Sequence, residues 1–144
     1  MFCYSRKYLL ILLILLVSSC LDRVETKCPD YNCAVKEGII NQGWIPKEII
    51  FASMTNIYQK TDLDINTCIF AYTLNQTDLD NLILRITKVD SKKVNTRFSL
   101  PNWWKTKVVS LEHYSFFENR TSDTVFLAID KTQNRIYGWR EGLK

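Results

Sequence analysis

The sequence predicts an α+β domain, built as a single antiparallel sheet of about five or six strands with one clear amphipathic helix and a possible second helix packed on it. Two observations lead to this fold class. Several short runs are rich in β-branched and aromatic residues, and one of them alternates cleanly between apolar and polar side chains, which is typical of a half-buried strand. Another segment has apolar residues at helical spacing. Alternation that leaves one polar face favours antiparallel pairing.

The helix is the clearest single element. Leu79, Leu82, Ile83 and Ile86 follow one another at positions i, i+3, i+4 and i+7, so they share one face of a helix of about three turns. Thr77 precedes this run and has the character of a helix-capping residue, with acidic residues just after it. We interpret the apolar face as part of the core.

The strands are predicted from composition and from the turns that separate them. A polar loop of hairpin length divides the last two strands, and Pro101 ends an earlier, weaker one. A second, shorter helix is predicted upstream, over residues 31–42. The predicted strands cover residues 52–59, 65–74, 94–100, 108–117, 124–130 and 135–140.

The N-terminus differs in composition from the rest of the chain. Arg6 and Lys7 precede an unbroken apolar run over residues 9–17, and Ser18 and Ser19 follow it. A basic start, a short apolar stretch and small residues at the cut are the layout of a secretory signal peptide. Nine apolar residues are too few to cross a bilayer, which needs about 20.

The residues at the cut carry a resemblance. Val17-Ser18-Ser19-Cys20 resembles the lipobox of bacterial lipoproteins, in which two small residues follow an aliphatic one and precede an obligatory cysteine. This resemblance implies that Cys20 is the lipid-bearing (palmitate-type) first residue of the mature protein. It also implies a membrane as the first partner. Because Leu21 rather than Asp follows Cys20, the outer membrane is favoured over the inner one.

The sequence therefore predicts three regions: a signal peptide over residues 1–19, a lipidated N-terminus and tether over 20–30, and one globular domain over 31–144. The whole chain has a net charge of +4. Without the signal peptide, 17 basic side chains face 15 acidic ones, a net charge of +2. That balance does not favour a nucleic-acid partner.

Three cysteines remain after the signal peptide and Cys20 are set aside. Cys68 shares strand parity with Phe70 and Tyr72, which predicts that its thiol lies in the core. We therefore favour a disulfide between Cys28 and Cys33, with Cys33–Cys68 as the alternative. The spacing matches neither a zinc site nor a redox pair, and we predict no metal and no cofactor.

Catalytic motifs are sparse. His113 is the single histidine in the sequence, and no nucleophile-elbow motif accompanies it. We therefore predict that the protein is not an enzyme. The alternative is a small envelope hydrolase in which His113 acts with Glu112, Asp123 or a serine.

Tryptophan is the most informative feature of the predicted domain. Trp103 and Trp104 are adjacent, so they point in different directions in a strand or a helical turn, and Trp139 stands near the C-terminus. Tryptophan is enriched in binding hot spots. These three residues are the candidate anchors of a non-enzymatic binding domain whose partner is an envelope protein or a cell-wall component. An anchored inhibitor or immunity-type factor would suit a chain of this size.

Overall fold

The computed structural model describes residues 23–64, 66–90, 100–104, 108–118 and 123–140. The strands are β1 Arg23–Asp30, β2 Thr55–Asp62, β3 Thr67–Thr73, β4 Thr87–Val89, β5 Glu112–Glu118, β6 Asp123–Asp130 and β7 Arg135–Arg140. The helices are α1 Tyr31–Lys36 and α2 Gln76–Ile83, and two short 3₁₀ turns span Lys47–Ile49 and Val108–Ser110.

These strands form one antiparallel sheet in the order β1-β2-β3-β7-β6-β5-β4. The first three strands follow one another as a meander. After α2 the chain reaches the far edge at β4, and strands β5, β6 and β7 then return toward the middle. There β7 pairs with β3, with Phe70 opposite Gly138. The pairing of β3 with β7 therefore joins two separate meanders into one sheet.

The sheet has more strands than the sequence predicts, and it includes residues that were predicted to form a tether. The described residues form seven strands rather than five or six, with two short helices, so sheet dominates the α+β fold. The predicted tether over 20–30 does not describe Arg23–Asp30, which form β1 and pair along β2. Cys28 is the single buried residue of β1, so this edge strand has no hydrophobic pattern to read.

Other boundaries moved by a few residues. The helix predicted over 31–42 ends at Lys36, and Gly38 then takes a positive φ of 77°, which glycine adopts without strain. Helix α2 begins before Thr77, because Asn75 is the capping residue and its side chain accepts from the Asp78 amide at 2.8 Å. Most of the strand predicted over 94–100 lies outside the described residues.

The inner face of the sheet is the face that α1, α2 and residues 39–54 cover. Phe70 and Tyr72 of β3 lie on this face and are fully buried, together with Leu79 and Leu82 of α2. The Tyr72 hydroxyl donates to the Ile49 carbonyl at 2.9 Å, which satisfies a buried polar group. The face predicted for Cys68, Phe70 and Tyr72 is thus the main core.

The cysteines are arranged as a short loop and a buried thiol. A disulfide joins Cys28 to Cys33 with their Cα atoms 5.5 Å apart, and it ties β1 to α1. Cys68 is a free thiol that is fully buried, and burial raises its pKa above the ordinary value. Cys68 therefore behaves as a small core residue.

The outer face of the sheet carries a second, smaller core. Ile69, Ala71, Ala128, Tyr137 and Trp139 form its floor. No helix among the described residues covers this face. Trp104 and Val108, from the segment before β5, cover its middle instead.

Gly138 provides a direct test of this packing. A Cβ atom at this position would overlap the ring of Phe70, which lies directly above it. We expect Gly138→Ala to lower the free energy of unfolding by about 1–3 kcal/mol, as overpacking does in a closed core. Chemical denaturation measures the change.

Phe70→Leu supplies the matched second variant. If the ring and the added methyl group collide, Phe70→Leu costs less stability in the Gly138→Ala background than in the wild-type chain. Strictly additive free-energy changes would contradict the contact.

Candidate functional site

The three predicted tryptophan anchors lie in different environments. Trp139 is fully buried in β7, and Trp104 is 4% exposed, so both belong to the core of the outer face. Trp103 is half-buried and reaches the surface. The predicted set of three binding residues is therefore reduced to Trp103 at the surface, with the other two beneath and beside it.

The two adjacent tryptophans lie in one tight turn. The Trp104 amide donates to the Pro101 carbonyl at 2.9 Å, which closes a turn of four residues. The two indole rings then meet edge to face, 6.0 Å apart at an interplanar angle of 62°. One ring turns into the sheet and the other lies across its surface.

Trp104 attaches this segment to the sheet. Its ring makes edge-to-face contacts with Tyr137 at 5.6 Å and with Trp139 at 6.2 Å. Such aromatic pairs contribute about 0.5–1.5 kcal/mol each beyond the area they bury. The position of Trp103 therefore depends on a neighbour that is itself fixed in the core.

Trp103 is held against the edge of the sheet by two further contacts. Its ring stacks on Tyr58 of β2, with centroids 5.5 Å apart and an angle of 26°. Its indole N–H donates to Oε1 of Glu25 in β1 at 3.0 Å. A stacking contact and a hydrogen bond together hold the surface indole in one orientation.

Cations surround the Tyr58 ring. The Arg135 guanidinium lies 5.3 Å from the centroid of Tyr58 and 5.5 Å from that of Tyr137, so it sits between two rings. The Lys27 ammonium lies 5.8 Å from the Tyr58 centroid. All three distances are within the range of a cation–π contact. Arg135 also donates to the Thr73 hydroxyl at 3.1 Å, which fixes its position.

Trp103, Tyr58 and Lys27 border an open groove of about 550 Å³ on the outer face. We call it the Trp103 groove. Glu25 lies opposite Lys60 in the register of β1 and β2, and Lys27 lies opposite Tyr58, so all four share one face. The Lys27 ammonium also pairs with Glu25 at 3.4 Å. The groove is lined by Glu25, Lys27, Tyr58, Lys60, Leu100, Pro101, Asn102 and Trp103.

His113, the residue of the alternative enzymatic prediction, lies in the outer-face core. It is 2% exposed, and its Nε2 is 2.9 Å from the Val108 carbonyl oxygen. Its ring also contacts Trp139 edge to face at 5.8 Å. The neighbouring residue Glu112 points to the other side of β5, as strand alternation requires. The side chain of Asp123 lies outside the description.

Glu112 belongs to a separate surface cluster on β5. The Tyr114 hydroxyl donates to its carboxylate, and the Lys131 ammonium lies 2.9 Å from the same oxygen. These two hydrogen bonds hold the pKa of Glu112 at about 2, so the carboxylate is charged at neutral pH. A carboxylate with a lowered pKa is poorly suited to act as a general acid or base near pH 7.

Two further observations concern metals and membranes. Within the described ranges, no three His, Cys, Asp or Glu side chains gather where they could hold a metal ion. None of the helices in those ranges has the length and apolar character needed for a membrane span. Cys20 lies outside the described residues, so its predicted lipid attachment has no structural counterpart here.

The sequence did not indicate most of the groove. The sequence predicts a tether for Glu25 and Lys27, and a strand over residues 52–59 that includes Tyr58. They meet Trp103 because β1 and β2 pair at the sheet edge and residues 100–104 lie across them. The adjacent tryptophans after Pro101 were the only signal in the sequence.

Comparison with known proteins gives one partial match. The family model of the YbbD head domain matches residues 22–73, about a third of the chain. This stretch ends at Thr73, the last residue of β3, so the part similar to the YbbD head domain comprises β1, α1, β2 and β3. No curated protein and no solved structure matches the chain.

The different roles of the two tryptophans can be measured. We expect Trp104→Ala to lower the free energy of unfolding by about 3–5 kcal/mol, because it empties a closed aromatic cluster. Trp103→Ala removes the stack on Tyr58, the edge-to-face contact with Trp104 and one exposed hydrogen bond, and we expect a loss of about 1–2 kcal/mol. Denaturant titration of both variants provides the comparison. Equal losses would contradict the assignment of Trp104 to the core and Trp103 to the surface.

Proposed function

We propose that the protein is a bacterial lipoprotein with a non-enzymatic binding domain. The lipid on Cys20 anchors it in the cell envelope, with the outer membrane as the favoured site. Support for the anchor comes from the resemblance of Val17-Ser18-Ser19-Cys20 to a lipobox. Several acyl chains on one residue are enough for stable anchoring, whereas one chain alone is marginal.

The binding surface in this proposal is the Trp103 groove. The observation that carries it is the fixed, half-exposed indole of Trp103, stacked on Tyr58 and hydrogen-bonded to Glu25. A side chain that is already held in place loses little conformational freedom on binding, which favours affinity. Tryptophan in such a setting is typical of the residues that dominate protein interfaces.

The charge of the groove favours an acidic protein partner. Lys27 and Lys60 line it beside a single carboxylate, Glu25, and the Arg135 guanidinium contacts the ring of Tyr58, one of the lining residues. The groove is therefore a basic patch on the outer face. A basic patch attracts a partner of opposite charge and raises its rate of association.

We accordingly propose that the partner is another envelope protein that presents acidic and apolar side chains. An inhibitor or immunity-type factor would act in this way, because covering a functional surface of another protein requires no chemistry. Neither a cofactor nor a metal has a role in this mechanism. In this proposal the lipid holds the protein at the membrane, and the Trp103 groove binds the partner.

Site-specific photo-crosslinking in living cells tests this proposal. A photoreactive phenylalanine is placed at Asn102, an exposed residue of the groove, and at Asn41, an exposed residue outside it. We expect a discrete protein adduct from position 102 only. That adduct should be lost in the Trp103→Ala and Lys27→Glu variants, since both remove groove contacts.

Two results would contradict the proposal. One is a set of adducts that is the same at both positions, or that survives Trp103→Ala. The other is an adduct with cell-wall polymer alone. Metabolic palmitate labelling in the same cells serves as the control for the anchor: Cys20→Ser should abolish the label, and a chain that keeps it is not lipidated at Cys20.

A further inference from the structure

We propose that the anchored protein docks one end of its sheet on the lipid surface, through the N-terminal end of β1 and the adjoining β2–β3 turn. We call this part the Val24–Leu63 end, and it comprises Arg23, Val24 and Leu63. This inference rests on the proposed lipid at Cys20. It adds an orientation for the domain and a second contact with the membrane.

Only a short connection separates Cys20 from the sheet. Strand β1 begins at Arg23, only three residues after Cys20. Even fully extended, three residues span at most about 11 Å. The start of β1 therefore stays at the membrane surface whenever the lipid is inserted.

The sheet register places the β2–β3 turn beside the start of β1. Arg23 lies opposite Asp62, the last residue of β2, so the turn that contains Leu63 lies at the same end. The Arg23 guanidinium contacts the Asp62 carboxylate at 2.6 Å, which holds the two strand ends together. The short linker therefore brings the turn to the membrane along with β1.

The surface at this end exposes apolar side chains beside a cationic one. Val24 is 47% exposed and Leu63 is 57% exposed, although both are apolar. The Arg23 side chain beside them is 61% exposed. Apolar side chains next to a long cationic one suit the boundary between headgroups and acyl chains, where the apolar parts insert and the charge stays at the headgroups.

The opposite end of the sheet has a different character. Asp30, Thr55, Thr73 and Arg135 follow one another across the strands, so the β6–β7 turn over residues 131–134 lies at that far end. Residues 131–133 are polar and exposed. Because β1 has eight residues, the two ends are separated by about 26 Å. In the proposed orientation the far end faces away from the membrane.

The orientation also restricts the partner. Glu25, on the β1 side of the Trp103 groove, is five residues from Cys20 and so within about 18 Å of it along the chain. The Trp103 groove therefore lies close to the membrane surface. Its partner must be held at that membrane or reach down to it.

Depth-dependent fluorescence quenching tests this docking. The lipidated full-length chain is placed in phosphatidylethanolamine–phosphatidylglycerol vesicles, with an environment-sensitive dye on Asp64→Cys or on Thr132→Cys. Asp64 is in the β2–β3 turn, so Leu63 is retained, and Thr132 is in the far turn. The wild-type chain, treated with the same dye, shows how much dye reacts with the buried Cys68.

We expect a spin label at the lipid headgroup to quench the dye at position 64 by about twofold or more, since that dye lies at the interface. The dye at position 132 should be unaffected. Leu63→Gln should reduce the quenching at position 64, because it removes an inserted side chain while leaving the anchor intact.

The outcomes separate this inference from the proposed function. Mass spectrometry of each sample first establishes whether Cys20 carries lipid. A lipidated chain with equal quenching at positions 64 and 132, or with quenching at 64 that Leu63→Gln leaves unchanged, overturns the docking but not the anchor. A chain without lipid on Cys20 overturns both.

Discussion

The outer surface of this protein depends on one interaction, the packing of the Trp104 ring against Tyr137 and Trp139. Helices cover the inner face of the sheet, whereas Trp104 and Val108 cover the middle of the outer face. The aromatic contacts of Trp104 hold residues 101–104 against the sheet. Trp103 is placed over β1 and β2 because its neighbour is fixed.

The groove combines two parts of the chain with different relations to known proteins. Its floor comes from β1 and β2, within the stretch similar to the YbbD head domain. Its wall comes from Pro101 and Trp103, which lie outside that stretch. The similarity thus extends to the scaffold of the groove and not to the indole that gives it a fixed aromatic surface.

Sequence patterns predicted the elements that bury apolar surface and missed those that do not. The face shared by Cys68, Phe70 and Tyr72 was read correctly because β3 is buried along almost its whole length. Strand β1 was read as a tether because Cys28 is its single buried residue. Edge strands owe their structure to backbone pairing with a neighbour, which leaves no trace in side-chain periodicity. The groove depends on that pairing, so no local pattern could reveal it.

The central claim is that Trp104 fixes the position of Trp103, and fluorine NMR of a chain labelled with 5-fluorotryptophan tests it most directly. The four resonances are assigned with single Trp→Phe variants. The account predicts that Tyr58→Leu shifts the Trp103 resonance, and that Trp104→Leu moves it to the position of a solvent-exposed indole while the fold is retained. A Trp103 resonance that is unchanged in the folded Trp104→Leu variant would contradict the account.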